Sequence, residues 1–143
     1  MQPHRVLNEV FGHAEFRGQQ LAAIQRVLDR QHALVIMPTG MGKSLCYQIP
    51  AIVLAGHDRD PRPHLASDGE LTIVLSPLIA LMKDQVDSLR TKGIAATFIN
   101  SSLTRNEREQ RYRAVQRGEF SLLYVTPEPV SYTHLTLPTI LLV

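Results

Sequence analysis

Apolar residues recur along this chain at two spacings, and the alternation between them predicts its elements. Leu21, Ile24, Val27 and Leu28 fall on one face of a helix over roughly 18–30. His32 to Met37 is a short, almost wholly apolar run, as expected of a strand covered on both faces. A helix is expected from Ser44 to about Leu54, and a second apolar strand from Leu71 to Leu75, closed by Ser76-Pro77. Leu78, Leu81, Met82, Val86 and Leu89 mark the next helix face. Ile94 to Ile99 reads as a third strand, Thr104 to Arg117 as a charged helix, and Phe120 to Val125 as a fourth strand, closed by Thr126-Pro127-Glu128.

Strands alternating with helices at this pitch predict βαβ units and a parallel sheet, hence an α/β fold. Ligands of such sheets lie beyond the carboxyl ends of the strands. The segments after each strand are therefore expected to share one rim.

Two segments break the order. Ala55 to Glu70 is polar, with two prolines and two glycines, and reads as a surface loop. Its His57, Asp58, Asp60 and His64 match no standard metal-ligand spacing. Residues 130–143 contain no Asp, Glu, Lys or Arg and show no helix cap or periodicity.

Composition narrows the class. The 143 residues are 44% hydrophobic and 20% charged, an ordinary globular balance for one domain. Fifteen Lys and Arg against thirteen Asp and Glu give a net charge of +2, so any nucleic-acid site must be a local patch. The single cysteine, Cys46, has no internal disulfide partner and reads as a small buried hydrophobe. With no signal-like core and no run of about 20 apolar residues, the expectation is a cytoplasmic chain with no membrane segment.

The sharpest chemistry lies in residues 37–44, Met-Pro-Thr-Gly-Met-Gly-Lys-Ser. A glycine-bearing loop between an apolar run and a helix is a phosphate cradle, in which consecutive backbone N–H groups face an anion. Gly40 and Gly42 allow backbone angles that side chains would block, Lys43 can reach the β- and γ-phosphates, and Ser44 can ligate Mg²⁺. The pattern's usual first glycine is replaced by Met37.

Three further motifs narrow a nucleotide binder to something more specific. Phe16-Arg17-Gly18-Gln19-Gln20 lies upstream of the loop, after Phe11-Gly12-His13. A Gln there offers both a donor and an acceptor to an adenine edge, and an Arg or His can stack on the base. Ser76 to Gln85 opens a helix whose N-terminal amides suit a nucleic-acid phosphate, and Tyr124-Val125-Thr126-Pro127-Glu128 ends a strand in the same manner.

In this order, from about Val6 to Glu128, the motifs resemble the RecQ family of superfamily 2 DNA helicases. FGHAEFRGQQ looks like its adenine-reading motif, MPTGMGKSLCYQIPA its motif I, SPLIALMKDQVDSL its motif Ia and YVTPE its motif Ib. Ile99 to Ser102 looks like a segment that touches single-stranded DNA. The resemblance implies a three-layer RecA-like domain, truncated at its C-terminal side. It implies an ATP- and Mg²⁺-dependent 3′→5′ helicase acting on single-stranded or forked DNA in repair or recombination.

Position by position, it implies that His13, Arg17 and Gln20 hold adenine. Met37, Pro38, Thr39, Gly40, Met41 and Gly42 would form the loop, with Lys43 and Ser44 catalytic and Ser44 on Mg²⁺. Ser76, Lys83, Asn100, Ser101 and Thr126 would contact the DNA backbone. Solvent-facing and turn-forming roles are the alternatives for Lys83 and Asn100 respectively.

The chain departs from the family pattern at Met41, where a glycine is usual, and in the long 55–70 loop. It also ends before the DEAH box and second lobe that the resemblance implies. The charged helix from Thr104 to Arg117 suits mixed i,i+4 pairs among Glu107, Arg108, Glu109, Arg111 and Arg113 better than a nucleic-acid groove.

VSYTHLTLPT is similar to an in-frame translation of a transposase-type sequencing-library adaptor. Residues 1–129 are therefore read as a partial RecA-like domain and 130–143 as a non-native tail, the alternative being a genuine apolar strand. A superfamily 2 RNA helicase and a non-helicase phosphate-loop module remain the competing functions.

Overall fold

The computed structural model describes residues 3–38, 40, 42–56, 70–127 and the backbone of 139–142. The chain divides into two compact units, residues 1–62 and 63–143.

Every regular element described in the first unit is helical: α1 (Pro3–Glu9), α2 (Gln20–Leu28) and α3 (Leu45–Leu54). α3 contacts both α1 and α2, and the three helices bury Val6, Leu7, Ile24, Ile49 and Ile52. α3 runs through Pro50, which has no N–H to give the carbonyl one turn back. α2 ends in a Schellman turn: Arg30 N–H donates to Val27 O at 3.0 Å and Gln31 N–H to Arg26 O at 2.9 Å. Its left-handed position is held by Arg30, with φ 62°, where glycine is the usual occupant.

The run expected to be a strand before the glycine loop is not one. Residues 31–38 are irregular, and Leu34 and Ile36 are each 88% exposed. A strand exists only through hydrogen bonds to a neighbour. The apolar run specifies a strand's side chains without supplying a partner, and the regular elements described in its own unit are all helices.

The second unit is α/β, as expected. Its order is β1 (Thr72–Leu75), α4 (Ile79–Thr91), β2 (Ala96–Ile99), α5 (Arg105–Gln116), β3 (Leu122–Val125) and β4 (Thr139–Leu142). The sheet runs β2-β3-β1-β4 with every pair parallel. β3 lies between β1 and β2 and is buried at all four residues, which accounts for its unbroken apolar sequence. Ile73, Ile99, Leu123 and Val125 form one core layer with Val115 of α5, and Tyr112 and Phe120 pack against it. α4 turns its Met82, Val86 and Leu89 inward.

Local signals define the helix ends. Thr104 and Glu107 form a capping box at the start of α5, with Thr104 Oγ1 accepting from Glu107 N at 3.2 Å and Glu107 Oε2 accepting from Thr104 N at 2.9 Å. Thr139–Leu142, in the tail set apart by composition, pairs in parallel with β1 from Thr72 to Leu75.

Candidate nucleotide site and nucleic-acid rim

The first unit contains a cleft of about 400 Å³ that brings together His13, Arg17, Gln20, Gly40 and Gly42. These are residues of the expected adenine and phosphate motifs, and Leu7, Ala14, Glu15 and Leu45 complete the walls. Gln20 opens α2 and is 2% exposed. Its Oε1 accepts from Arg17 N at 2.8 Å, and its Nε2 donates to Gly42 O at 3.1 Å. One side-chain amide therefore joins the upstream motif to the glycine loop.

Gly42 has φ 72°, and a Cβ there would lie 2.5 Å from Gln20 Nε2. Both the backbone angle and the close approach require glycine. Gly40 is also left-handed, with open space where a Cβ would point.

Sequence reasoning overlooked Asn8, which fixes the segment leading to this cleft. Its Nδ2 donates to the carbonyls of His13 and Ala14, the latter at 3.2 Å. His4 meets Phe16 edge-on, with ring centroids 4.9 Å apart, and braces the same loop. The only hint of Asn8's role was an Asn near a helix end, four residues before Gly12.

The remaining loop residues behave differently from one another. Lys43 is exposed and does not line the cleft. Ser44 is the N-cap residue of α3, but its hydroxyl makes no capping hydrogen bond. Pro38 is exposed, and Thr39 and Met41 lie outside the described residues. Met37 faces Cys46, with Sγ to Sδ at 3.8 Å, and so ties the start of the loop to α3. Burial pushes the Cys46 thiol pKa up, matching the inert role read from sequence.

The second unit sets Ser76, Asn100 and Thr126 side by side. Leu75 pairs with Val125 and Ile99 pairs with Val125, so the next residue of each strand stands on the carboxyl rim. All three are buried. Ser76 Oγ accepts from Leu78 N at 3.3 Å. Asn100, 1% exposed, accepts from Ser102 N at 2.9 Å and from Ser102 Oγ, while its Nδ2 donates to Met82 Sδ of α4 at 3.5 Å. Its amide thus builds the turn and ties it to α4, leaving the neighbouring Ser101 exposed.

Lys83 is exposed and pairs with Asp87 at 2.9 Å, and this hydrogen bond raises the pKa of its ammonium. Such an i,i+4 pair is weak and exchangeable. Glu128 and the residues His57, Asp58, Asp60 and His64 lie outside the described residues. No cluster of three metal-ligating side chains occurs among the described residues. None of their helices is long and apolar enough to cross a membrane.

Arg111 feels the charge of Glu107 one turn away, but its hydrogen bond goes elsewhere. Arg111 leaves the solvated face of α5 and donates to Phe98 O at 2.7 Å, with its guanidinium 4.6 Å from the Phe98 ring centroid. The aromatic ring and the carbonyl at the sheet edge offer a planar cation more than an exposed carboxylate does. Arg105 and Glu109, at 3.5 Å, do form an exposed i,i+4 pair.

Comparison with known proteins agrees with these motifs. The profile described as DEAD/DEAH box helicase matches residues 17–140. The ATP-dependent DNA helicase RecQ of Haemophilus influenzae is 48% identical over 125 residues, covering 87% of this chain and 18% of that protein. The protein of the same name from Pasteurella multocida is 47% identical over 128 residues, covering 90% and 18%. That of Bacillus subtilis is 44% identical over 124 residues, covering 86% and 19%. The chain therefore spans about a fifth of the length of these relatives.

Proposed function

Because this chain belongs to the DEAD/DEAH box helicase family, we propose that it supplies the nucleotide-binding part of an ATP-dependent, RecQ-type DNA helicase. In this reading the parent enzyme moves 3′→5′ along single-stranded or forked DNA in repair or recombination, in the cytoplasm. The observation that carries the reading is the Gln20 amide, closed onto the glycine loop inside a cleft that also contains His13 and Arg17.

The cleft suits a purine nucleotide. It has an amide with donor and acceptor character, a guanidinium, an imidazole and two left-handed glycines. Arg17 and Gln20 hold adenine and His13 stacks on it. Residues 37–42 wrap the phosphates, Lys43 neutralises them, and Ser44 ligates Mg²⁺. When bound, ATP and Mg²⁺ supply the phosphoryl-transfer chemistry that drives strand separation. Ser76, Lys83, Asn100, Ser101 and Thr126 form the DNA rim, with Asn100 acting by shaping the turn that exposes Ser101.

The 143 residues contain no Asp-Glu-x-His sequence. The chain alone is therefore expected to bind nucleotide weakly and not to unwind DNA. Residues 130–143 are proposed as a non-native tail, since a short apolar stretch can add to a sheet edge through its main chain whatever its origin. Sequencing the source DNA across codon 129 tests this.

The functional reading is tested by titrating the chain with fluorescent ATP and GTP analogues, and with single-stranded DNA and RNA of one sequence. Preference for ATP, reduced in Gln20→Ala, together with preference for DNA supports it. Equal binding of both nucleotides in the parent chain would favour a generic phosphate-loop module, and a preference for RNA would favour an RNA helicase.

A further inference from the structure

Glu15 is the one acidic side chain among the described residues that line the cleft of the first unit. It stands between His13 and Arg17, and all three are exposed. Among the described residues, neither the Glu15 carboxylate nor the Arg17 guanidinium has an ion-pair or hydrogen-bond partner. Opposite charges two residues apart on one cleft wall are thus open to a ligand.

Gln20 differs. It is 2% exposed, its Oε1 accepts from Arg17 N at 2.8 Å and its Nε2 donates to Gly42 O at 3.1 Å. Much of its capacity to read a base is therefore directed into the protein. Adenine and guanine both offer the N7 acceptor and differ at the 6-position, an amino donor in one and an oxygen acceptor in the other. An arginine has donors only, and it pairs well with guanine through O6 and N7. Arg17 by itself would favour guanine, so choosing adenine requires an acceptor at the 6-position. An ionised carboxylate is such a group, because it accepts and cannot donate.

We propose that Glu15 is a further adenine-selecting residue, whose carboxylate accepts from the 6-amino group while the Arg17 guanidinium takes N7. The ligand class is a 6-aminopurine nucleotide; a 6-oxopurine would set its oxygen against the carboxylate. The assignment rests on the reading of this cleft as a nucleotide site, and adds to it a group that discriminates between purines. A negative charge beside the base also repels the phosphates, which leaves them to the loop bearing Gly40 and Gly42.

The test is displacement of a fluorescent ATP analogue from the full chain, with Mg²⁺ present, by ATP and by inosine triphosphate, which carries an oxygen in place of the 6-amino group. Glu15→Ala and Glu15→Gln are compared with the parent, and circular dichroism shows that each is folded. The parent should bind ATP about three- to tenfold more tightly than inosine triphosphate, as expected for one hydrogen bond to a charged group in a solvated cleft. Both variants should lower that ratio by about threefold or more, the alanine by removing the acceptor and the glutamine because its amide can turn to donate to the oxygen.

A folded variant that keeps the parent ratio overturns the proposal. So does an equal change in affinity for both nucleotides, since removing a negative charge near a polyanion would do that wherever the carboxylate pointed. Either outcome leaves the nucleotide reading intact, because the parent still prefers ATP. A parent chain that binds both triphosphates equally, or neither, removes the reading of an adenine site and this assignment together. Should Glu15→Ala fail to fold, Glu15→Gln, which keeps the side chain's shape, decides by the same criterion.

Discussion

Gln20 and Gly42, 22 residues apart, are joined by a hydrogen bond of 3.1 Å from the side-chain amide to the main-chain carbonyl, at a point where a Cβ on Gly42 would lie 2.5 Å from the donating nitrogen. The first motif therefore sets the shape of the second through the protein's own contacts. Gly42→Ala must both hold a left-handed alanine and displace the Gln20 amide. It is expected to lower unfolding free energy by about 1–3 kcal/mol, measured by chemical denaturation. In Gln20→Ala/Gly42→Ala the clash disappears and the backbone strain remains. The double variant should therefore lose less than the sum of the two single losses.

Gln20→Glu keeps an oxygen for Arg17 N but turns a carboxylate oxygen toward the Gly42 carbonyl. Acceptor would face acceptor, so both stability and preference for adenine over guanine should fall. Competition between ATP and GTP for a fluorescent analogue reads the selectivity directly. An unchanged ratio would remove Gln20 from the adenine site.

Asn100 and Ser101 are adjacent but are expected to respond differently. Asn100→Ala deletes the link to Met82 and the turn to Ser102, and should cost about 1–3 kcal/mol on denaturation. Ser101→Ala, at an exposed position, should stay within about 0.5 kcal/mol of the parent while weakening binding of a single-stranded DNA oligonucleotide.

Arg30 occupies the left-handed position of the turn that ends α2, where the equivalent residue after α4 is Gly93. Arg30→Gly should raise stability by about 0.5–1 kcal/mol, because relief of the left-handed strain outweighs the added freedom of the unfolded chain. A thermal midpoint below that of the parent would show that the arginine side chain contributes more than its backbone costs.

Cys46 has a thiol pKa raised by burial in the folded state. The folded chain therefore holds this proton more tightly than the unfolded chain. Its contribution to stability is complete below the unfolded thiol pKa and is lost as pH rises through the folded value. Stability should decline on the alkaline side, and alkylation at neutral pH should be slow until denaturant is added. Cys46→Ala should flatten that alkaline decline.

Much of this molecule was determined locally. The apolar period defined α2 and α4 to within a few residues, the charged run Thr104 to Arg117 contained α5, and the mostly apolar runs marked β1, β2 and β3, because such patterns record which side of an element is buried. The motifs that carry the family resemblance were equally legible, since Gln20, Gly40 and Gly42 each stand in a short contiguous pattern. Tertiary structure decided whatever depends on a partner distant in the chain.

The run His32 to Met37, expected as a strand, is irregular, and no strand is described beside it in its unit. Arg111, expected on a solvated face, is drawn to a carbonyl and a ring on β2. Asn100, for which a DNA contact and a turn-forming role were both open, has its amide engaged by Met82 of α4 and by Ser102. Hydrogen bonds to a strand edge, and the order β2-β3-β1 itself, join residues far apart in sequence. A one-dimensional pattern carries burial, but it does not carry the address of the partner.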